Sequence, residues 1–359
     1  STVGNIETYK IGVGWQAAES FRIRGMYQAA TRAPSVFELF QAGDQGFPLY
    51  SEPCAKLQQA EELDLYAFCQ QTGIAAPENF SQSNPQIEAL FFGNPLLEEE
   101  ESETLTFGFV AQPSFAGGLR FSVDYWDIKV DGFIDSLLGG AQGVIDACFG
   151  SLDLNGPQCQ SALLGRPFID RDASGELKVN VPLVNSAELA TSGIDLQADY
   201  AVPLSWAGLG EDSRLNMNLL VTYLNEYVME GIDYAGTIGA FNISGAFPEL
   251  KANLRLSYDI GPVDLALNTR YIDAMDNQGN LSAFGNNSFA SAGSATYMDL
   301  SARWQVSNAV ELSLGMLNIG DRRPPVFSNA IDQNTDPSTY DMVGRSWFGG
   351  IRVDLTGDP

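Results

Sequence analysis

The sequence of 359 residues contains no histidine, which removes the usual general base and the commonest metal ligand. Neither a Ser-x-x-Lys nor a Gly-x-Ser-x-Gly motif occurs, so no nucleophile–base pair can be assembled. The acidic run from Glu98 to Glu101 lacks the spacing of a calcium loop, and we interpret it as solvated charge. We therefore expect a protein that is not an enzyme and that holds no metal or cofactor.

Long apolar runs are also missing. No stretch of about 18 consecutive apolar residues occurs, which excludes a transmembrane helix. A transmembrane barrel is still allowed, because its strands carry apolar residues only at every second position.

Basic residues are few: 19 against 45 acidic residues, with a net charge of −26. Nucleic acid is an unsuitable partner for such a chain, because its binding requires clusters of Lys and Arg that displace counterions. We expect no nucleic-acid partner.

Only four cysteines are present, in two near pairs: Cys54 with Cys69, and Cys148 with Cys159. Neither pair has the C-x-x-C spacing of zinc and redox sites. Both pairs lie in long polar segments. This favours two local disulfides in an oxidising compartment over the alternative of unpaired buried thiols. We also expect residues 55–70 to form a short helix that the Cys54–Cys69 disulfide closes.

Strict alternation of apolar and polar residues is the main structural signal that is present. In segment 296–306, Leu300 and Trp304 fall on one face of a predicted strand, whereas Asp299 and Arg303 fall on the other. The same period of two recurs along the whole chain and predicts β-strands.

About eleven strands are predicted. They lie near 6–16, 20–30, 102–112, 118–134, 187–202, 213–229, 249–260, 262–275, 295–306, 309–319 and 340–355. Strands of globular proteins usually run about 5–6 residues, whereas membrane-spanning strands need about 9–11. Because many of these segments have the greater length, the sequence predicts an all-β fold, a transmembrane antiparallel β-barrel.

The predicted connections alternate between short and long. The short ones are 17–19, 113–117, 203–212, 261–262 and 307–308, and the long ones are 31–101, 135–186, 230–248, 276–294 and 320–339. Outer-membrane barrels have short periplasmic turns and long extracellular loops, so we expect the long connections outside the cell.

The strand count has a consequence for the ends of the chain. Bacterial single-chain barrels have an even number of strands, with both ends in the periplasm. If the last of eleven strands ends in the periplasm near Leu355, Ser1 falls in an extracellular loop. We therefore expect the N-terminal part to be a separate chain, or to have been cleaved off or left out. The alternative is one miscounted strand, within 176–184.

Several segments carry a recognisable pattern: 31–40 (TRAPSVFELF), 94–104 (NPLLEEEESET), 318–321 (NIGD) and 340–350 (YDMVGRSWFGG). Their order and spacing resemble the boxes of the TonB-dependent receptor family, over about 6–355. Two features depart from that family. Glu98 and Glu99 stand where proline is usual, and Leu355 replaces the usual terminal aromatic residue.

The resemblance implies that 1–359 is the C-terminal half of a barrel of roughly 22 strands, with large extracellular loops at 31–101 and 135–186. It also implies a Gram-negative outer membrane, with lipid and lipopolysaccharide around the barrel. The implied partners are the N-terminal half of the receptor with its plug, the TonB–ExbB–ExbD complex through that plug, and a nutrient ligand. The plug and the TonB-contacting box are not in this sequence. Haem receptors of the family typically carry a histidine near the first box, so its absence argues against haem.

Charged residues on the polar face of the strands are expected to point into the lumen, because a charge on the lipid face costs about 2–4 kcal/mol at the bilayer midplane. The candidate residues that face the lumen or the plug are Arg22, Arg24, Arg120, Arg214, Arg255, Arg270 and Arg303. One interpretation is that they solvate the lumen or pair with inner-face Asp. The other is that they form a basic wall that docks an acidic plug.

Aromatic residues in the long connections are the candidate ligand contacts, because aromatic rings stack on the faces of sugars. These residues are Phe47, Tyr50, Phe91, Phe92, Tyr234, Phe241, Phe284 and Phe289. The alternative is that they pack the connections onto each other.

The resemblance thus implies energy-coupled uptake of a scarce nutrient, and we expect either an oligosaccharide or peptide-like ligand or, second, a ferric siderophore. The alternative function is a passive porin, or a surface-binding barrel without energy coupling.

Overall fold

The computed structural model describes residues 7–60, 62–84, 86–172, 174–205, 213–229, 231–239, 245–277, 290–327 and 334–355. Eleven long strands form one antiparallel sheet in which each strand pairs with the next long strand along the chain. We call this sheet the wall. Its strands are β1 Tyr9–Ala18, β2 Phe21–Arg32, β3 Glu100–Ala111, β4 Leu119–Ser136, β5 Leu177–Pro203, β6 Arg214–Met229, β7 Leu250–Ile260, β8 Val263–Ile272, β9 Ala295–Ser307, β10 Val310–Leu317 and β11 Ser346–Val353. The predicted count of about eleven strands and their antiparallel arrangement are confirmed.

The segment 176–184, considered above as a possible extra strand, is the start of β5. Residues 177–203 form one strand, and its first part pairs both with the end of β4 and, in parallel, with Glu88–Phe92. The predicted bounds of 187–202 were therefore too short, because local alternation does not reveal a second pairing partner.

The last strand is shorter than the predicted 340–355. Tyr340 is buried in a cluster with Phe327 of its own connection and with residues of β8, β9 and two other connections, and Gly344 has φ +74°, which is incompatible with an extended strand. Strand β11 therefore begins only at Ser346.

Short and long connections lie at opposite ends of the wall. One end, which we call the turn side, has 19–20, 112–118, 204–213, 261–262 and 308–309. The other end, the loop side, has 33–99, 137–176, 230–249, 273–294 and 318–345. The one-sided alternation of connection lengths predicted from the sequence is present.

The strand register gives the wall two chemically different faces. Leu219 on β6 lies opposite Ala198 on β5 and Leu254 on β7, whereas its neighbour Asn218 lies opposite Asp199 and Arg255. Because side chains alternate between faces along every strand, such rows produce one apolar face and one polar face.

The connections contain short helices and strands. The helices are α1 Val36–Phe40, α2 Leu63–Gln71 and α3 Ala141–Ser151, with 3-10 turns at Pro77–Asn79 and Leu137–Gly139. The short strands are Ala42–Gly46, Glu88–Phe92, Gln160–Ser161, Arg166–Pro167, Ile169–Arg171, Ile232–Asp233, Thr237–Ile238, Ala246–Phe247, Met275–Asn277 and Ser291–Ala292. None of the helices in the described ranges has the length and apolarity that a membrane span requires.

The two longest connections, 33–99 and 137–176, share a hydrophobic core. We call these two connections the cap. The cluster contains eighteen buried residues, fifteen of them in the cap and three at the start of β5. Phe68 on α2 and Phe149 on α3 meet edge to face at its centre, with ring centroids 5.2 Å apart. The main core therefore lies at the loop side of the wall.

Candidate functional site

All seven arginines named from the sequence lie on the polar face of the wall. Counting along the register from strand to strand puts Arg22, Arg24, Arg120, Arg214, Arg255, Arg270 and Arg303 on the same face. The common face of the seven arginines follows from the alternation of side chains along each strand. It does not depend on what this face contacts.

Three of these arginines pair with an aspartate on another strand of the wall: Arg24 reaches across Gly108 of β3 to β4, and the other two pair with an adjacent strand. Arg24 donates to both carboxylate oxygens of Asp124, at 2.8 and 2.5 Å. Arg120 lies 3.3 Å from Asp199, and Arg303 lies 3.3 Å from Asp264. The charges of these three arginines are thus compensated within the wall.

The other four are not compensated in this way. Arg22, Arg214, Arg255 and Arg270 form no ion pair with any residue that the structure describes. The guanidinium of Arg270 instead lies over the ring of Tyr297, 5.3 Å from its centroid. The positive charges of these four arginines are therefore available to a partner that binds the polar face.

A cavity of about 340 Å³ lies on the polar face near the loop side. Its polar lining comes from β6, β7 and β8 and from connection 318–345: Thr222, Lys251, Asn253, Arg270, Ser338 and Thr339. The volume is in the range of about 300–1,000 Å³ that is usual for ligand pockets. Lys251 lies opposite Thr222 and therefore on the same polar face as the seven arginines, as the alternation in the sequence predicts.

A group of hydrogen-bonded residues, which we call the clamp, lies at the loop-side end of β2. It consists of Arg32, Ser35 and Glu38 from segment 31–40 and of Glu100 at the start of β3. The Ser35 hydroxyl accepts from the Glu38 N–H at 3.2 Å, and the Glu38 carboxylate accepts from the Ser35 N–H at 2.6 Å. This capping box starts α1. Arg32 donates to both oxygens of Glu38 at 3.0 Å and to both of Glu100 at 2.5 and 2.6 Å.

The clamp explains why this box contains an Arg and a Glu at this spacing, because the pair joins α1 to the ends of β2 and β3. The hydrogen bond from Arg32 is the main cause that lowers the pKa of Glu38. Glu38 therefore remains ionised, and paired, at neutral pH.

Glu100 corrects the interpretation of residues 98–101 as solvated charge. Its side chain is buried, and besides the Arg32 bonds it accepts from the Ile134 N–H at 2.8 Å. The sequence run did not reveal this, because the partners come from β2 and β4.

The second box docks against the first. The Asn94 N–H donates to the Glu38 carbonyl at 2.8 Å, and the Asn94 side chain donates to the Leu183 carbonyl at 3.0 Å. Leu39 and Leu97 are buried beside them. Both boxes thus fix the base of the cap on the wall.

Asn318 has a similar role in the third segment. It is buried with φ +48°, a backbone conformation that Asn tolerates better than most residues. Its side chain accepts from the Arg322 N–H at 2.8 Å and donates to Asp341 at 3.0 Å. These bonds hold the start of connection 318–345, which reaches the cavity with Ser338 and Thr339.

Both disulfides are present, Cys54–Cys69 and Cys148–Cys159, and all four cysteines belong to the cap core. The expected helix at 55–70 is shorter: α2 covers Leu63–Gln71, because Lys56 has φ +56° and Glu62, which precedes α2, has the non-helical angles φ −142° and ψ 82°. The disulfides tie α2 and α3 into the core.

A buried ion pair joins the two halves of the cap. Arg171 donates to both oxygens of Glu52 at 3.0 and 2.9 Å, and their side chains are 6% and 0% exposed. Arg171 also donates to the Thr72 hydroxyl and the Gly175 carbonyl. No local sequence signal marks this pair, which spans more than a hundred residues of chain.

The structure separates the aromatic candidates. Tyr50 and Tyr234 are 2% and 3% exposed, so in this structure these two side chains pack their connections, which is the alternative role considered above. Burial also raises the pKa of the Tyr50 hydroxyl. Phe47 is exposed at 54%. Phe91 and Phe92 are half-buried, and Arg166 lies over the Phe92 ring.

The remaining aromatic candidates, Phe241, Phe284 and Phe289, lie outside the described residues. Phe47, Phe91 and Phe92 are thus the candidates that the structure shows at or near the cap surface.

Comparisons with known proteins agree with this architecture. A family model described as "TonB dependent receptor-like, beta-barrel" matches residues 1–319. The match includes the boxes at 31–40 and 94–104 and ends within the segment 318–321. A sequence search of curated proteins gives no match.

Solved receptors share the fold. The siderophore receptor PirA from Acinetobacter baumannii has a TM-score of 0.58 at 13% identity, covering 98% of this chain and 41% of that one. The ferric enterobactin receptor from Pseudomonas aeruginosa has a TM-score of 0.56 at 13% identity, covering 96% and 40%. The FrpB iron transporter from Neisseria meningitidis has a TM-score of 0.53 at 12% identity, covering 96% and 39%.

The chain therefore spans 39–41% of the length of these three proteins. At such low identity the likeness shows the fold alone, an antiparallel β-barrel architecture.

Proposed function

This chain belongs to the TonB-dependent receptor-like β-barrel family, and we propose that it serves in energy-coupled uptake of a scarce nutrient across the outer membrane of a Gram-negative bacterium. In this proposal residues 1–359 are the C-terminal half of the barrel. The observation that carries the proposal is the register of the wall, which gives eleven strands one apolar and one polar face. Such a wall suits lipid on one side and a hydrated passage on the other.

The proposed orientation puts the loop side outside the cell and the turn side in the periplasm. The long connections are then the large extracellular loops, 31–101 and 135–186, and the cap captures the ligand. Apolar side chains such as Val13, Leu314 and Ile351, which are 71%, 59% and 73% exposed, would contact lipid and lipopolysaccharide.

The preferred ligand is an oligosaccharide or a peptide-like nutrient. Phe47, Phe91 and Phe92 supply aromatic side chains at or near the cap surface, and hydroxyl and amide groups line the cavity at the loop side of β6, β7 and β8. A ferric siderophore is the second candidate, because two of the similar structures are siderophore receptors.

The proposed partners are the plug in the N-terminal half of the receptor and, through that plug, the TonB–ExbB–ExbD complex. An acidic plug surface would find free positive charge on the polar face at Arg255, whereas Arg303 already pairs with Asp264. This difference makes plug docking testable.

We expect Arg255→Glu to loosen the plug and to admit a large antibiotic such as vancomycin. Arg303→Glu should have a smaller effect, because Asp264 already neutralises Arg303. The measurement is antibiotic susceptibility of cells that express each variant at equal level. Unchanged susceptibility with Arg255→Glu would count against the docking role.

Uptake itself is tested in the natural host. Growth on candidate oligosaccharides, peptides or ferric siderophores as the limiting nutrient is compared between wild type, a strain lacking this protein and a strain lacking TonB. The proposal expects growth to fall equally in both mutants. Growth that needs this protein but not TonB would favour a passive porin, and no growth defect in either mutant would favour a surface-binding barrel.

A further inference from the structure

The cavity on the polar face has an ordered floor. Two adjacent rows of the register cross β6, β7 and β8: Thr222, Lys251 and Ile272 in one row, and Leu220, Asn253 and Arg270 in the other. Lys251 and Arg270 are therefore diagonal neighbours on adjacent strands, a placement that separates residues by about 7–8 Å. One carboxylate or sulfate group between them can bind both cations.

The floor is positively charged, whereas the chain as a whole has a net charge of −26. The chain has 45 acidic and 19 basic residues, yet among the described residues the cavity lining contains two basic residues and no acidic one. Neither Lys251 nor Arg270 pairs with a described carboxylate. The guanidinium of Arg270 is positioned by its contact with the Tyr297 ring. The floor thus offers preplaced donors to an anion.

The roof offers the opposite hydrogen-bonding character. The hydroxyls of Ser338 and Thr339 donate to Asp336, at 2.6 and 2.8 Å. Because each hydroxyl has one proton and two lone pairs, both oxygens can only accept from a ligand. The Thr222 hydroxyl at the edge of the floor is likewise committed, since it donates to Asp195 at 2.7 Å.

We propose that this cavity binds a polyhydroxylated anion, in particular an acidic sugar unit of an oligosaccharide. The anionic group lies on Lys251 and Arg270, and ring hydroxyls donate to Ser338 and Thr339. Asn253, with one acceptor and two donors, can bond a further hydroxyl. This inference rests on the proposed function, because it takes the polar face as the face that meets the nutrient.

The acidic cap does not prevent such binding. The cap segments carry fifteen acidic and three basic residues, but exposed charges are largely screened beyond about 8 Å at physiological ionic strength. The cavity cations act at contact distance. A ferric catecholate is also anionic, but its catechol oxygens ligate the metal and leave no hydroxyl for the roof.

The test is ligand binding by the protein at its natural length, purified from outer membranes in detergent. Isothermal titration calorimetry compares three probes: trigalacturonic acid, the neutral maltotriose, and ferric enterobactin. We expect trigalacturonic acid to bind at least tenfold more tightly than maltotriose, and ferric enterobactin not to bind at the cavity.

Variants locate the site. Lys251→Gln and Arg270→Gln should each weaken trigalacturonic acid binding at least tenfold, while Lys251→Arg should retain it. Thr339→Val should weaken it several-fold, because the roof loses an acceptor. Arg214→Gln is the matched control: it removes an uncompensated arginine from the same face, outside the cavity, and should leave binding unchanged.

Several outcomes overturn the inference. They are equal affinity for trigalacturonic acid and maltotriose, loss of binding with Arg214→Gln but not with Lys251→Gln, or Lys251-dependent binding of ferric enterobactin alone. If TonB-dependent growth on another nutrient persists in those cases, the proposed function stands and only the ligand class is wrong. If uptake proves independent of TonB, the proposed function fails, whatever the probes show.

Discussion

The wall and the cap are two regions of one chain that are held together by different forces. In the wall, large apolar side chains such as Ile11 and Ile351 are 69% and 73% exposed, and the strands are joined by their main-chain ladders. In the cap, fifteen residues form a buried core together with two disulfides and a buried ion pair.

The wall and the cap are stabilised differently because the wall suits a lipid bilayer and the cap suits water. A wall in a bilayer needs no interior, because lipid covers its apolar face and every internal strand satisfies its main-chain groups by pairing. The cap extends beyond the wall and has to exclude water by itself. Like other small units with a limited core, it adds covalent and ionic links.

The largest effect on stability is expected for a substitution that destabilises the cap and leaves most of the wall unchanged. Arg171→Ala leaves the Glu52 carboxylate buried without its partner, which costs about 3–5 kcal/mol. We expect hydrogen exchange to accelerate across 50–90, 141–176 and the start of β5 at 177–181, which belongs to the cap core, but not in the rest of the wall. Arg166→Ala, which changes an exposed arginine of the same connection, is the control. Equal protection in both variants would show that the pair does not support the cap.

A substitution in the wall tests the two faces. Leu219→Arg puts a charge on the apolar face, which costs about 2–4 kcal/mol near the bilayer midplane, whereas Leu220→Arg puts the same charge on the polar face. Urea unfolding in lipid vesicles should show a lower unfolding free energy only for Leu219→Arg. Equal losses would contradict the assignment of the faces.

Removing the Cys54–Cys69 disulfide tests the links within the cap. The loop it closes spans 15 residues, for which the entropic model gives a contribution of about 3 kcal/mol. The Cys54→Ala/Cys69→Ala double variant should become sensitive to protease within the cap, while the wall keeps its resistance to urea. Cys148→Ala/Cys159→Ala, with a separation of 11, provides a comparison that should give a slightly smaller effect.

The clamp between the regions should give a smaller effect. Ser35→Ala removes the side-chain cap of α1, which typically costs about 1 kcal/mol. Exchange should accelerate at 35–41, with Ser81→Ala as the control in the same connection. If exchange instead accelerates through the whole cap core, the clamp and the core are one cooperative unit, and the two-region comparison needs revision.

The clamp also has the smallest predicted effect, a dependence on pH. Because Arg32 lowers the pKa of Glu38 in the folded protein, its contribution to stability is complete above the unfolded-state pKa of about 4.3. This contribution is lost as the pH falls through the lower folded value. Hydrogen exchange at 35–41, corrected for its intrinsic pH dependence, should accelerate in the wild type as the pH falls through the folded-state pKa of Glu38. The acceleration should be smaller in Glu38→Gln. An identical rise in both would exclude Glu38 as the titrating group.

Sequence reasoning predicted the wall well and the cap poorly. Local alternation gave eleven strands and the common face of the seven arginines, because in a strand the face of each side chain follows from its position alone. The Arg171–Glu52 pair, the burial of Tyr50 and the role of Lys251 depend on residues far apart in the sequence. The 31–40 box was visible as a pattern, but its reason, the contact of Arg32 with Glu38 and Glu100, was not.

The sequence by itself thus determined which residues form strands, which face is charged and on which end the long connections lie. These are properties with a local period, and a strand repeats them every two residues. Only the tertiary structure decided which arginines are compensated, which aromatic rings are buried and that Lys251 and Arg270 line one cavity with Ser338 and Thr339. Those outcomes depend on register between strands and on packing between connections, which no local pattern encodes.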